Sequence, residues 1–125
     1  MADLTIDASS DGTLGLLHLR GEARLEVIDA LRDKAKALLS QGATHLLLGV
    51  KDVGFMDSAS FGVVLDLQKA LKAKGGDLIL VGPSARFLKM IDGMGLAGRF
   101  ATAPSETAAR ALARPPPTRP RPQGQ

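Results

Sequence analysis

Two near-continuous apolar runs, HLLLGV at 45–50 and DLILV at 77–81, bracket a stretch in which apolar residues return at helical spacing. A strand that is apolar on both sides has no face to give to water, so such runs belong in the interior of a parallel arrangement. Parallel neighbours cannot be joined by a tight turn and need a long crossover, usually a helix. Residues 58–74 supply one, with Val64, Leu65, Gln68 and Leu71 near one face and Gly75-Gly76 as the stop. A right-handed strand–helix–strand unit therefore anchors the fold.

The remaining elements extend this unit. Leu4-Thr5-Ile6-Asp7 alternates apolar and polar, Asp11-Gly12 offers a turn, and 14–19 continues as the second strand of a hairpin. Leu25, Ile28, Leu31, Ala35, Leu38 and Leu39 form a helical stripe that ends before Gly42. After Gly82-Pro83, Ser84 is a cap for a third helix through Phe87, Leu88 and Ile91, closed by Gly93 and Gly95. Residues 99–102 read as a short edge strand, and 104–113 as a last helix with Pro104 or Ser105 near its first turn. The order is β-β-α-β-α-β-α-β-α, an α/β fold with a mixed β-sheet and helices packed on it. No internal repeat is present.

Composition narrows the function. The 125 residues, 45% apolar and 23% charged, suit one domain with a real core. No cysteine is present, which removes disulfides, thiol nucleophiles and zinc–thiolate sites, and two histidines make a metal site improbable. No cofactor is expected. The chain has no Trp or Tyr and four Phe, so it lacks a platform for stacking bases, and nucleic acid is not an expected ligand. The opening residues carry no secretory pattern and no run is long enough for a bilayer, which predicts a cytoplasmic protein without membrane insertion. A free monomer is the default for this size. The formal charge of +3 comes from the end: without 114–125 there are 13 basic and 13 acidic residues. That stretch, RPPPTRPRPQGQ, is rich in proline and arginine and reads as a disordered tail following a domain of residues 1–113. Its sharper reading is a proline-rich ligand or a weak anchor to an acidic surface.

The stretch with most chemical content is Val53-Gly54-Phe55-Met56-Asp57-Ser58-Ala59-Ser60-Phe61-Gly62. It falls where a buried strand hands over to a helix, so Asp57, Ser58 and Ser60 gather at a helix N-terminus, where unpaired N–H groups favour a side-chain cap or a phosphate. Capping alone explains such residues in most proteins. No Walker-type loop, paired carboxylates or Ser-His-Asp arrangement indicates an enzyme, although a doubly wound enzyme with an anion pocket near Ser58 is a rival reading. His18 and His45 read as packing or edge residues. Met56, Met90, Met94, Phe55, Phe61 and Phe87 read as core, with an adaptable contact surface as the alternative.

Three local words resemble STAS domains, the family of anti-sigma factor antagonists. They are LRGE at 19–22, DVGFMDSASFGVVL at 52–65 and GGDLILVGPSARFLKMIDGMGL at 75–96, within a likeness that spans residues 4–113. The resemblance implies a non-enzymatic partner-switching module in transcription regulation and the stress response. Such a domain binds a kinase-like anti-sigma factor and is silenced by phosphorylation of the serine that follows the signature aspartate. That serine is Ser58, with Ser60 as second choice, and the implied partner surface comprises Glu22, Arg24, Asp57, Ser58, Ser60 and Phe61. Ala59-Ser60 stands where the family has Ser/Thr-Gly, Phe61 where leucine is usual, Arg24 where a carboxylate is usual, and Gly49 where Asp or Asn is frequent. Arg24 is thereby placed to pair with Asp57 or with a phosphate on Ser58. The alternative within the family is an unphosphorylated scaffold or a cytoplasmic transporter subunit.

Overall fold

The computed structural model describes residues 4–113; the proline- and arginine-rich tail lies outside them. Nine elements follow in order: β1 (Thr5–Asp11), β2 (Leu14–Ala23), α1 (Asp29–Ser40), β3 (His45–Met56), α2 (Ser58–Ala73), β4 (Asp77–Val81), α3 (Ala85–Gly93), β5 (Ala101–Ala103) and α4 (Glu106–Ala113). The strands lie side by side in sequence order, with β1 antiparallel to β2 and every later pair parallel. The sheet is thus mixed, with a hairpin on one side and crossover helices linking the rest.

The apolar runs occupy the middle of the sheet. Leu46, Leu48, Leu78 and Leu80 face a large core with Leu31, Leu38, Phe61, Val64, Leu71, Phe87 and Ile91, which α1, α2 and α3 bring in. Phe61 and Phe87 meet with ring centroids 5.6 Å apart and planes tilted by 52°. Leu47 and Ile79 point the other way, into a smaller cluster closed by Ala103 of β5 and by Ala109 and Ala113 of α4. This two-sided burial is why neither run alternates. Caps fall where the sequence supplies them: Ser84 Oγ accepts from the Phe87 N–H at 3.0 Å, and Ser105 Oγ from the Ala108 N–H at 3.2 Å.

Two strands are longer than their apolar runs. β3 pairs with β4 only over positions 45–49, yet continues to Met56 beside β2, which itself reaches Ala23. Register shifts between His18 and Arg20 and between Gly21 and Glu22 mark bulges in this extension, and Gly21 sits at φ 106°. Here Lys51, Asp52 and Gly54 are exposed while Val53 and Met56 stay buried. The two strands therefore run on past their neighbours at the carboxyl end of the parallel sheet, and this ribbon carries Glu22 and Phe55.

Leu25 departs from the sequence reading. The Val27 N–H bonds to the Arg24 carbonyl in a turn, and α1 begins only at Asp29. Leu25 is consequently 64% exposed, whereas Ile28 and Leu31 are buried. The three-residue spacing imitates a helical stripe that the backbone has not yet entered.

Candidate functional site

The site is built around Asp57. Its backbone is extended, φ −81° and ψ 172°, and its Oδ1 accepts the Ser60 N–H at 2.8 Å, which makes it the N-cap of α2. Its second oxygen is also used: Oδ2 accepts the Leu25 N–H at 2.8 Å, while the Asp57 N–H donates to the Ala23 carbonyl at 3.0 Å. One aspartate thus caps a helix and fastens the β2–α1 turn to the β3–α2 turn. Burial pulls its carboxyl upward. The Ser60 hydroxyl and N–H, the Leu25 N–H and the Arg24 charge outweigh that pull, and the group is held below the usual carboxylate range.

Capping by Asp57 leaves Ser58 free of that task. It is the first residue of α2 and exposed. Its N–H and that of Ala59 belong to the first turn, where no intrahelical acceptor exists, at the positive end of the helix. Ser60 is different. It is fully buried, and its Oγ has no hydrogen bond of ordinary geometry although it lies close enough to help hold the Asp57 charge. Phe61 points into the core beside Phe87. Of the six expected contact residues, then, Ser60 and Phe61 offer no surface to a partner, because positions three and four of the helix turn inward under the sheet.

The other four are brought together. Arg24 Nε and Nη2 both donate to Glu22 Oε1, at 3.0 and 2.8 Å, and the guanidinium lies over the Phe55 ring at 4.6 Å. Arg24 does not bond to Asp57, one of the two pairings the sequence left open; Glu22, which precedes it by two residues, takes the cation. Phe55, which reads from the sequence as core or else as contact surface, is half-buried, and Leu25, read as part of the apolar helical stripe, is exposed. Neither had a distinguishing signal: the bulged register at Gly21 and the late start of α1 are not written in apolar spacing. Met56 and Phe87 are core as expected, whereas Met94 is exposed.

The remaining candidates lie elsewhere. His18 Nε2 pairs with Asp52 Oδ2 at 2.9 Å on the ribbon, and this contact first of all keeps the Asp52 carboxyl below its usual range. His45 Nδ1 meets Thr44 Oγ1 at 3.2 Å. Gly49 lies beneath the His18 ring, where a Cβ would come within 2.9 Å of Nδ1. Among the described residues there is no cluster able to hold a metal ion, and no helix is long and apolar enough to cross a membrane.

The site is thus an exposed serine behind a capping aspartate, at the carboxyl end of a five-stranded mixed sheet. The family model described as "Mlab, STAS domain" matches residues 6–102. The chain belongs to the STAS domain family. This STAS domain is 32% identical over 94 residues to the anti-sigma-B factor antagonist of Bacillus subtilis, spanning 75% of this chain and 85% of that protein. It is similar in structure to the anti-sigma factor antagonist SpoIIAA in its unphosphorylated form, with a TM-score of 0.72, 24% identity, and coverage of 88% of this chain and 96% of that one. The phosphorylated form of the Bacillus cell fate determinant SpoIIAA superimposes with a TM-score of 0.67, 25% identity, and coverage of 90% and 100%.

Proposed function

We propose that this STAS domain, residues 1–113, is a cytoplasmic anti-sigma factor antagonist, monomeric when free, which docks on a kinase-like anti-sigma factor and is switched off by phosphorylation of Ser58. The observation that carries this reading is the division of labour between neighbours: Asp57 is consumed by capping, while Ser58 stands exposed at the start of α2. The domain contributes an acceptor hydroxyl and a contact surface. The nucleotide belongs to the partner: Ser58 Oγ bonds to the γ-phosphorus of ATP, the bond to ADP breaks, and the hydroxyl proton leaves to a base on the kinase. A phosphate of ≈ −1.5 to −2 charges then sits beside Asp57, where repulsion and desolvation oppose docking. Ser60 is a poor acceptor because its hydroxyl is buried.

Docking also has apolar material available. Leu25 is exposed next to Ser58's capping aspartate, and Phe55 lies half-buried under Arg24. A central apolar contact with a charged surround is the usual anatomy of a protein interface.

The test is capture from a lysate of the native organism with the wild type, Ser58→Asp and Ser58→Ala. The reading requires that wild type and Ser58→Ala retain a kinase-like protein that Ser58→Asp loses, and that recovered wild type carries phosphate on Ser58. Equal capture by all three with no phosphate refutes the switch and leaves a constitutive scaffold or transporter subunit.

A further inference from the structure

We propose that Arg24 is the receptor for a phosphate on Ser58, and that phosphorylation draws its guanidinium away from Glu22. The inference rests on Ser58 being the residue modified.

The main chain at Arg24 is pinned on both sides to the residue before Ser58. The Ala23 carbonyl accepts the Asp57 N–H at 3.0 Å, and the Leu25 N–H donates to Asp57 Oδ2 at 2.8 Å. Arg24 therefore keeps its position whatever its side chain does. Its charge already reaches Asp57 and helps keep it ionised.

The present partner holds the guanidinium loosely in chemical terms. Both donating nitrogens converge on a single oxygen of Glu22, rather than on the two oxygens that a planar fork matches best. Arg24 is half exposed, and among the described residues its guanidinium makes no other hydrogen bond. A phosphate offers three acceptor oxygens and nearly twice the charge of a carboxylate. Phe55 beneath the guanidinium gives it a flat support over which to swing without losing its cation–π contact.

Charge points the same way. Arg24 is bonded to the Glu22 carboxylate and its charge is also felt by the Asp57 carboxylate, both of whose oxygens are occupied by N–H donors. A third anion at Ser58 makes the site strongly negative unless Arg24 turns to it. The unpaired N–H groups of the first helical turn complete the phosphate's coordination but bring no full charge. When Arg24 moves, Glu22 loses its counter-ion and faces solvent. One modification thereby alters the surface at three residues.

The experiment installs phosphoserine at position 58 during synthesis and follows the phosphate's second ionisation by phosphorus NMR in otherwise wild-type protein and in Arg24→Gln, Arg24→Lys and Glu22→Gln. An ordinary phosphoserine titrates near pH 6. The proposal requires a lower value in the wild type, a rise of about half a unit or more in Arg24→Gln, only partial recovery in Arg24→Lys because an ammonium lacks the fork, and a further fall in Glu22→Gln, where the competitor is gone. Identical titrations in wild type and Arg24→Gln overturn it. Because the phosphate is installed without a kinase, this outcome is independent of whether any partner phosphorylates Ser58, so the two readings stand or fall separately.

Discussion

Asp57 and Ser58 are adjacent and carry opposite kinds of work, which makes their substitutions separable. Asp57→Ala removes the cap of α2 and the tie to Leu25 together. A lost cap alone costs about 0.5–2 kcal/mol, and the unpaired Leu25 N–H adds to it, so the chemical-denaturation midpoint should fall clearly. Ser58→Ala should leave the unfolding free energy within about 0.5 kcal/mol, as for surface changes generally, since Ser58 is exposed and does not cap. The aspartate also has a pH signature. Its folded-state carboxyl is held below the ordinary value, so the stability it contributes is fully present above the unfolded value of about 3.9 and is lost as pH falls through the folded one. Asp57→Asn caps but carries no charge. Urea titrations should thus show a constant gap between wild type and Asp57→Asn above about pH 5, narrowing as the solution becomes more acid. A gap that widens in acid contradicts the assignment.

At the scale of elements, the ribbon formed by the ends of β2 and β3 is what sets this domain's surface. Its bulges turn Glu22 and Phe55 toward Arg24, and its His18–Asp52 pair is held over Gly49. Gly49→Ala would push a methyl to within 2.9 Å of the His18 ring and displace it, so the Asp52 carboxyl should return toward its usual range, a change that carbon-detected NMR titration reads directly. The ribbon was also the least legible part of the sequence. HLLLGV and DLILV announce themselves because both their faces are buried, and the helices because their stripes repeat. The ribbon's residues are half-exposed, so KDVGFM has neither a pure apolar run nor clean alternation, and a bulge erases the period that would betray which side chains share a face. The same holds at Leu25, where a turn imitates helical spacing. Asp57 and Ser58 were legible as a helix start and Phe61 as core, whereas the burial of Ser60 was not legible, because a motif groups residues that the helix then points in different directions. Leu25→Ala should accordingly weaken partner docking while leaving the thermal midpoint nearly unchanged, the reverse of what a core leucine would do, for which about 2–5 kcal/mol of stability would be lost.

For the molecule as a whole, the sheet separates two unequal cores, and the inequality decides how far a disturbance on one side reaches the other. On one face, leucines, phenylalanines and isoleucine from three helices fill a wide space and lead directly to Phe61, the fourth residue of α2 and so one turn from Ser58. On the other, α4 meets Leu47 and Ile79 through Ala109 and Ala113, with Ala103 beside them, so small side chains let the helix lie close to the strands. A close approach has no room to absorb volume. Ala109→Leu should force α4 outward and cost about 1–3 kcal/mol by overpacking. The disturbance should remain local, because the strands between the cores are tied by parallel ladders from β2 to β5, without a register shift from β3 onward, and the Asp57 cap is on the far side. Amide exchange would then show faster exchange in α4 and β5 with the Ser60 and Leu25 amides still protected by Asp57, and partner affinity unchanged once corrected for the folded fraction. Loss of protection at Ser60 and Leu25 in this variant would mean instead that the two cores fold and loosen as one, and that the start of α2 draws its rigidity from α4 as well as from its own cap.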